Sequence, residues 1–195
     1  MTRLFVALDL PACATAELAA MQPPPVRGVR LEKVRQMHVT LHFLGKANVE
    51  RTAAALAVVA APAFALTIEG VGQFPSADGA VILWARVRES RELLGLHAAI
   101  AAALAGEGFQ PEARPYTPHV TLARCGPQVA VGLVGEFLTR GAPLSLPDVP
   151  VTAFGLYSST SVGGASVYRR ERSFPLLASR SGGRTQQDDA ITPLP

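Results

Sequence analysis

The chain has 195 residues, of which 49% are apolar and 17% charged, with a formal net charge of +3 at pH 7. This length supports a substantial core, and so high an apolar share excludes a disordered polymer. The arginines are dispersed, which excludes a duplex-coating protein with a dense basic stripe but leaves room for a local anion site.

Cys13 and Cys125 have no metal-ligand spacing and read as free thiols. The apolar opening MTRLFVALDL is short and broken by Asp9, and no segment reaches the roughly 20 apolar residues of a membrane span. A soluble, cytoplasmic monomer with no membrane partner is expected.

Arg3 to Leu10 reads as the first strand, and Pro11 opens a helix over 12–21 that Pro23-Pro24-Pro25 terminates. Val29 to Leu31 reads as a short strand. Met37 to Leu44 is a strand stopped by Gly45, and a helix follows over 49–60. Phe64 to Glu69 alternates as a strand, Gly70 to Gly79 reads as a loop or short strand, and Ala80 to Val87 is a strand containing the only tryptophan, Trp84. Leu93, Leu96, Ile100 and Leu104 recur at helical spacing and predict a helix over Arg91 to Leu104. A strand over 119–125 follows, then a helix at about 128–139, a strand near 143–146 and a long strand over 149–157. Ser158 to Gly164 reads as a flexible connection, Ser166 to Phe174 as the last strand. Residues 1–177 are expected to form one bilobal domain, and the polar, glycine-bearing residues 178–195 a disordered tail. The alternation predicts an α/β or α+β sandwich with helices outside and sheet inside.

Within this frame one tetrapeptide occurs twice: His38-Val39-Thr40-Leu41 and His119-Val120-Thr121-Leu122, each followed by glycine, Gly45 and Gly126, seven residues after its histidine. On a strand, His and Thr two apart share one face while Val and Leu take the other. Each copy can therefore bury its aliphatic pair and present its polar pair. Two imidazoles facing one cleft can divide acid and base duties near neutral pH, as phosphodiester cleavage requires. Two threonine hydroxyls can hydrogen-bond the non-bridging oxygens. No carboxylate cluster accompanies the motifs, which disfavours a two-metal nuclease. A zinc site built from His38, His119 and His42 would leave the repeated threonines without a role.

Other residues near the motifs are weighed by strand parity. His42 shares the face of His38 and Thr40 and is a candidate substrate contact, whereas Phe43 falls on the opposite, core face. Arg124 is a phosphate ligand by charge, but parity sets it opposite His119 unless a bulge intervenes. Tyr116 and Thr117 precede the second motif closely enough to line the cleft. His97, in its alanine- and leucine-rich helix, reads as structural.

The sequence resembles the 2H phosphoesterase superfamily, and within it the RNA 2',3'-cyclic phosphodiesterases, also called LigT-like or 2'-5' RNA ligase proteins. The resemblance rests on the opening Arg3-Leu4-Phe5-Val6-Ala7-Leu8-Asp9-Leu10-Pro11, on His38 to Gly45, on Arg114 to Arg124, on Phe154 to Ser159 and on the closing Tyr168 to Phe174. Leu31 and Arg35-Gln36-Met37 stand where the family often has a tryptophan and an acidic-Asn-Leu triplet. The resemblance implies a bilobal, pseudo-twofold fold with both motifs lining a central cleft. It implies hydrolysis of a 2',3'-cyclic phosphate at an RNA end, or of a small cyclic nucleotide, to a 2'-phosphate, with no cofactor and no metal. By family precedent His38 is the proton donor, His119 the acceptor, and Thr40 and Thr121 the phosphate holders; the residues themselves leave donor and acceptor open. The alternatives are a same-fold phosphodiesterase or ligase acting on another cyclic phosphate or a 2'-5' linkage, and a non-catalytic RNA-end binding module.

Overall fold

A computed structural model describes residues 2–75, 79–110, 114–129, 131–162 and 165–178. The tail expected over 178–195 lies outside the described residues from position 179 onward.

The motif strands are β3 (His38–Ala47) and β6 (His119–Cys125), and they lie side by side at the middle of one nine-stranded sheet. Beyond β3 come β1 (Thr2–Asp9), β8 (Ala153–Val162) and β9 (Ala165–Pro175). Beyond β6 come β5 (Val81–Val87), β4 (Phe64–Pro75) and β7 (Ser145–Val151), while the short β2 (Val29–Leu31) pairs with the free part of β6. The strand-to-strand pairings are antiparallel. The two halves touch through one registered pair, Val39 with Val120. This is a curled antiparallel sheet with two four-stranded halves related by a pseudo-twofold axis through the motif seam.

Among the described residues four α-helices cover the sheet: α1 (Ala12–Ala20), α2 (Val49–Leu56), α3 (Arg91–Leu104) and α4 (Val131–Gly141). Asn48 caps α2 by accepting from the Arg51 amide at 3.0 Å, and Ser90 caps α3 by accepting from Leu93 at 3.1 Å. Each cap satisfies an amide that has no partner inside its helix. The stripe of α3 buries Leu93, Leu96, Ile100 and Leu104 in one core with Val6, Leu8, Val39, Leu41, Leu83, Ala85, Val120 and Leu122. Each such valine, leucine or isoleucine side chain contributes about 1.5–3 kcal/mol by leaving water. The valine and leucine of both motifs are thus in the core, and the opposite sheet face is left for chemistry.

Four expectations change. Gly45 does not stop β3: it adopts φ +65 at a register shift opposite Leu4 and Phe5, and the strand runs on to Ala47. A left-handed glycine at a bulge bends a strand without ending it. The stretch from Gly70 continues β4, which pairs with β5 as far as Pro75. The strand expected over 149–157 is two strands broken at Thr152, with β7 on one edge of the sheet and β8 two strands past the seam. A single intervening residue can join them only because the sheet curls. Finally, Ser158 to Val162 is the outgoing half of the β8–β9 hairpin.

Candidate active site

Val39 sits opposite Val120 in antiparallel register, so the same register carries His38 toward Thr121 and Thr40 toward His119. Histidine of one half therefore meets threonine of the other. Each imidazole is fixed in the same way: His38 Nδ1–H donates to the Gln36 carbonyl at 2.6 Å, and His119 Nδ1–H donates to the Thr117 carbonyl at 2.7 Å. A carbonyl can only accept, so Nδ1 carries the proton in both rings and Nε2 is left to take or give one. Both rings are half-buried.

The surroundings of the two histidines differ. His38 lies opposite Asp9 on β1. The Tyr157 phenol donates to Asp9 Oδ1 at 2.6 Å, and Arg170 donates to Oδ2 at 3.0 Å. Phe5 and Tyr168 pack on the His38 ring at centroid distances of 5.1 and 5.3 Å. His119 is flanked by Phe74 at 5.0 Å and Trp84 at 5.9 Å, with the Arg86 guanidinium over Trp84. Burial pushes both imidazoles below their ordinary pKa, and the hydrogen bonds to Gln36 and Thr117 pull back in part. On His38 the Asp9 carboxylate also pulls upward, against His119 and Arg124. On His119 the charge that acts is Arg124, which pushes further down. Among the described residues the two rings are thus electrostatically unequal: His38 has a carboxylate beside it and His119 does not.

Two matching bulges settle the parity questions. On β3 the register with β1 skips Leu41, so Leu41 and His42 both point into the core. On β6 the register with β5 skips Leu122, so Leu122 and Ala123 do the same. Beyond each bulge the faces are exchanged. His42, expected at the cleft, is 5% exposed; its Nε2 bonds the His97 carbonyl at 2.8 Å and its ring stacks on that of His97 at 3.9 Å. Phe43, expected in the core, is 60% exposed and lies beside Phe5 on the His38 face. Arg124, left on the wrong face by simple alternation, returns to the face of His119 and Thr121. With His42 turned away, the three-imidazole zinc set is not assembled. Among the described residues no group of three or more His, Cys, Asp or Glu could hold a metal ion.

Tyr116 has a supporting position. Its phenol donates to the Thr40 carbonyl at 3.1 Å, and its ring stacks on His97 at 4.0 Å. Thr40 and Thr121 are half-buried on the cleft face. Asp9, Phe5, Tyr157, Tyr168, Phe74, Trp84 and Arg86 escaped the sequence reading as site residues. Strands β1 and β5 flank the motif strands in the sheet, and this neighbourhood is the signal that alternation along a single strand lacks.

Such an arrangement can serve as an acid–base pair over an anion. Two Nε2 atoms, two hydroxyls and the Arg124 guanidinium share one face of the sheet. A family model described as the 2'-5' RNA ligase superfamily matches residues 14–162. An RNA 2',3'-cyclic phosphodiesterase of Escherichia coli is 31% identical over 174 residues, covering 85% of this chain and 92% of that protein. One from Archaeoglobus fulgidus is 27% identical over 180 residues, covering 88% and 99%. The crystal structure of E. coli LigT complexed with 3'-AMP matches with a TM-score of 0.69 and 26% identity, over 90% of this chain and 98% of that one. The crystal structure of a Thermus thermophilus protein, TT0787, matches with a TM-score of 0.69 and 25% identity over the same shares.

Proposed function

The chain belongs to the 2'-5' RNA ligase superfamily, and from that premise we propose that it hydrolyses the 2',3'-cyclic phosphate at an RNA end to a 2'-phosphomonoester, with His38 as proton donor and His119 as proton acceptor. The observation that carries this is the paired Nδ1 clamp, which leaves Nε2 of each ring to exchange a proton, on two motif strands whose register sets each histidine toward the other motif's threonine.

In the reaction a water gives its proton to His119 Nε2 as its oxygen bonds to phosphorus. The P–O3' bond breaks, its electron pair goes to O3', and His38 Nε2 supplies the proton that O3' needs to leave. The Thr40 and Thr121 hydroxyls and Arg124 hold the non-bridging oxygens, where charge gathers in the transition state. Asp9 supports the assignment of roles, because a carboxylate next to His38 favours the protonated ring there. Phe43, exposed beside the buried Phe5, offers an aromatic surface on the His38 side for the terminal base. Both motifs come from one chain, so a monomer suffices.

The test is a short RNA ending in 2',3'-cyclic phosphate, incubated in EDTA with wild type, His38→Ala and His119→Ala, with the terminal phosphate identified by phosphorus NMR. Conversion to 2'-phosphate by wild type, lost in both variants, is the expected result. Turnover that survives either substitution, or a 3'-phosphate product, would overturn the assignment.

A further inference from the structure

The β8–β9 hairpin meets the His38 half of the cleft at several points. Its Ser166 carbonyl accepts from the Gln36 carboxamide at 3.3 Å, and the backbone carbonyl of that same Gln36 holds His38 Nδ1. Two residues on, the Tyr168 ring stands edge-on to the imidazole. Two further on, Arg170 donates to Asp9 Oδ2 at 3.0 Å. Residues two apart on a strand share a face, so one side of β9 is turned toward His38. A fourth contact comes from β8. The Tyr157 ring is 9% exposed, stacks on Phe5 at 5.3 Å and lies along its own strand against Gly155, which brings its hydroxyl to Asp9 Oδ1 at 2.6 Å. Burial and the neighbouring carboxylate push the phenol above its ordinary value, so it stays a donor.

Asp9 by itself has little to fix it. Its side chain is 57% exposed and that of Arg170 is 58% exposed, and an exposed ion pair holds its geometry weakly. The buried phenol is the fixed point. The pseudo-twofold makes this arrangement one-sided: Asp9 is registered opposite His38, and the equivalent position opposite His119 is Arg86. The charges that act on His38 are Asp9 from β1 and His119 and Arg124 from β6. The groups bonded to Asp9 are Tyr157 from β8 and Arg170 from β9. We propose that Tyr157 is a positioning residue for the reaction: it holds the Asp9 carboxylate beside His38, with Arg170 as a counter-charge that limits the pull of that carboxylate on the imidazole. The inference rests on the reading of His38 as proton donor and adds what keeps that donor protonated. A loose Asp9 turns into solvent and stops favouring the charged ring, whereas an Asp9 without Arg170 favours it more strongly.

The experiment measures kcat/KM against pH on a short RNA ending in 2',3'-cyclic phosphate, and the titration of His38 by NMR in the free enzyme. Both are done for wild type, Tyr157→Phe, Arg170→Gln, Asp9→Asn and each of the first two substitutions combined with Asp9→Asn. Tyr157→Phe keeps the ring and its stack on Phe5 and removes only the donor. It is expected to lose about threefold on the alkaline limb, and Arg170→Gln to gain about twofold there. Both should stay close to wild type on the acid limb, where His119 sets the rate. His38 should titrate at lower pH in the first variant and at higher pH in the second. With Asp9→Asn already present, neither substitution should have a further effect. A His38 titration that does not move, that moves the same way in both variants, or that still moves without the Asp9 charge would overturn the positioning role, as would equal loss on both limbs. Failure of the wild type to turn over the RNA would overturn the cyclic-phosphate reading alone, because the His38 titrations report on the carboxylate without substrate.

Discussion

At the scale of single residues the two histidines look alike and are not. In the proposed mechanism each supplies one half of a proton-transfer pair, so His38→Ala and His119→Ala should each lower kcat by about 10²–10⁴-fold, measured on a cyclic-phosphate RNA. Asp9 distinguishes them. If His38 must be protonated and His119 neutral, activity rises with pH as His119 loses its proton and falls as His38 does. Asp9→Asn removes the charge that pulls His38 upward, so the alkaline limb of the pH–rate profile should move to lower pH while the acid limb stays in place. Movement of the acid limb instead would mean that the roles are exchanged. Tyr116→Phe removes the donor to the Thr40 carbonyl. It should cost about 0.5–1.5 kcal/mol in urea unfolding and reduce kcat more than it raises KM.

At the scale of elements the two halves solve one packing problem in the same way. Trp84 on β5 lies over Gly72, and Tyr157 on β8 lies over Gly155; a Cβ at either glycine would run into the aromatic ring. Gly72→Ala and Gly155→Ala should therefore each destabilise by about 1–3 kcal/mol in urea unfolding, because the rings have no room to move aside. Gly155→Ala should additionally disturb the Tyr157–Asp9 contact and with it the alkaline limb. Most of these elements were legible in the sequence. Alternation marked the strands, the aliphatic stripe of Arg91–Leu104 marked α3, and the repeated His-x-Thr string marked where the two halves meet. His42, Phe43 and Arg124 were misplaced or left in doubt because a bulge after each motif exchanges the faces, and a one-residue slip leaves no trace in composition. The aromatic walls were missed because Phe5 and Ala7 make β1 apolar on both faces, so that period-2 reading finds no functional side. Thr152, the break between β7 and β8, is invisible within an unbroken alternating run; only the closure of the sheet requires it.

At the scale of the whole molecule, the stack of His42, His97 and Tyr116 ties α3 to the motif strand and to the approach of β6. Burial and the neighbouring His42 lower His97 to about 4 from the ordinary 6.5, against a hydrogen bond to Leu41. Between those two values the unfolded chain binds the extra proton, so the contribution of His97 is complete above pH 6.5 and is lost as pH falls toward 4. Allowing for its partial exposure, that amounts to about 1–2 kcal/mol. Thermal unfolding should show the melting temperature dropping through this window, with His97→Phe flattening the drop in part, since His38 and His119 are depressed in the same sense. The paired Nδ1 clamps have a last consequence. Because neither ring can turn over without breaking its bond to the chain, each histidine can exchange a proton only through the atom that faces the cleft. In the proposed mechanism hydrolysis moves one proton onto His119 and one off His38, so the enzyme ends each bond-breaking step in the mirror image of the state in which it began. That mirror state is the one required to run the reaction backwards, closing the ring or joining an end. Turnover therefore includes a resetting step in which solvent restores the original pair, and buffer concentration should change its rate independently of bond breaking.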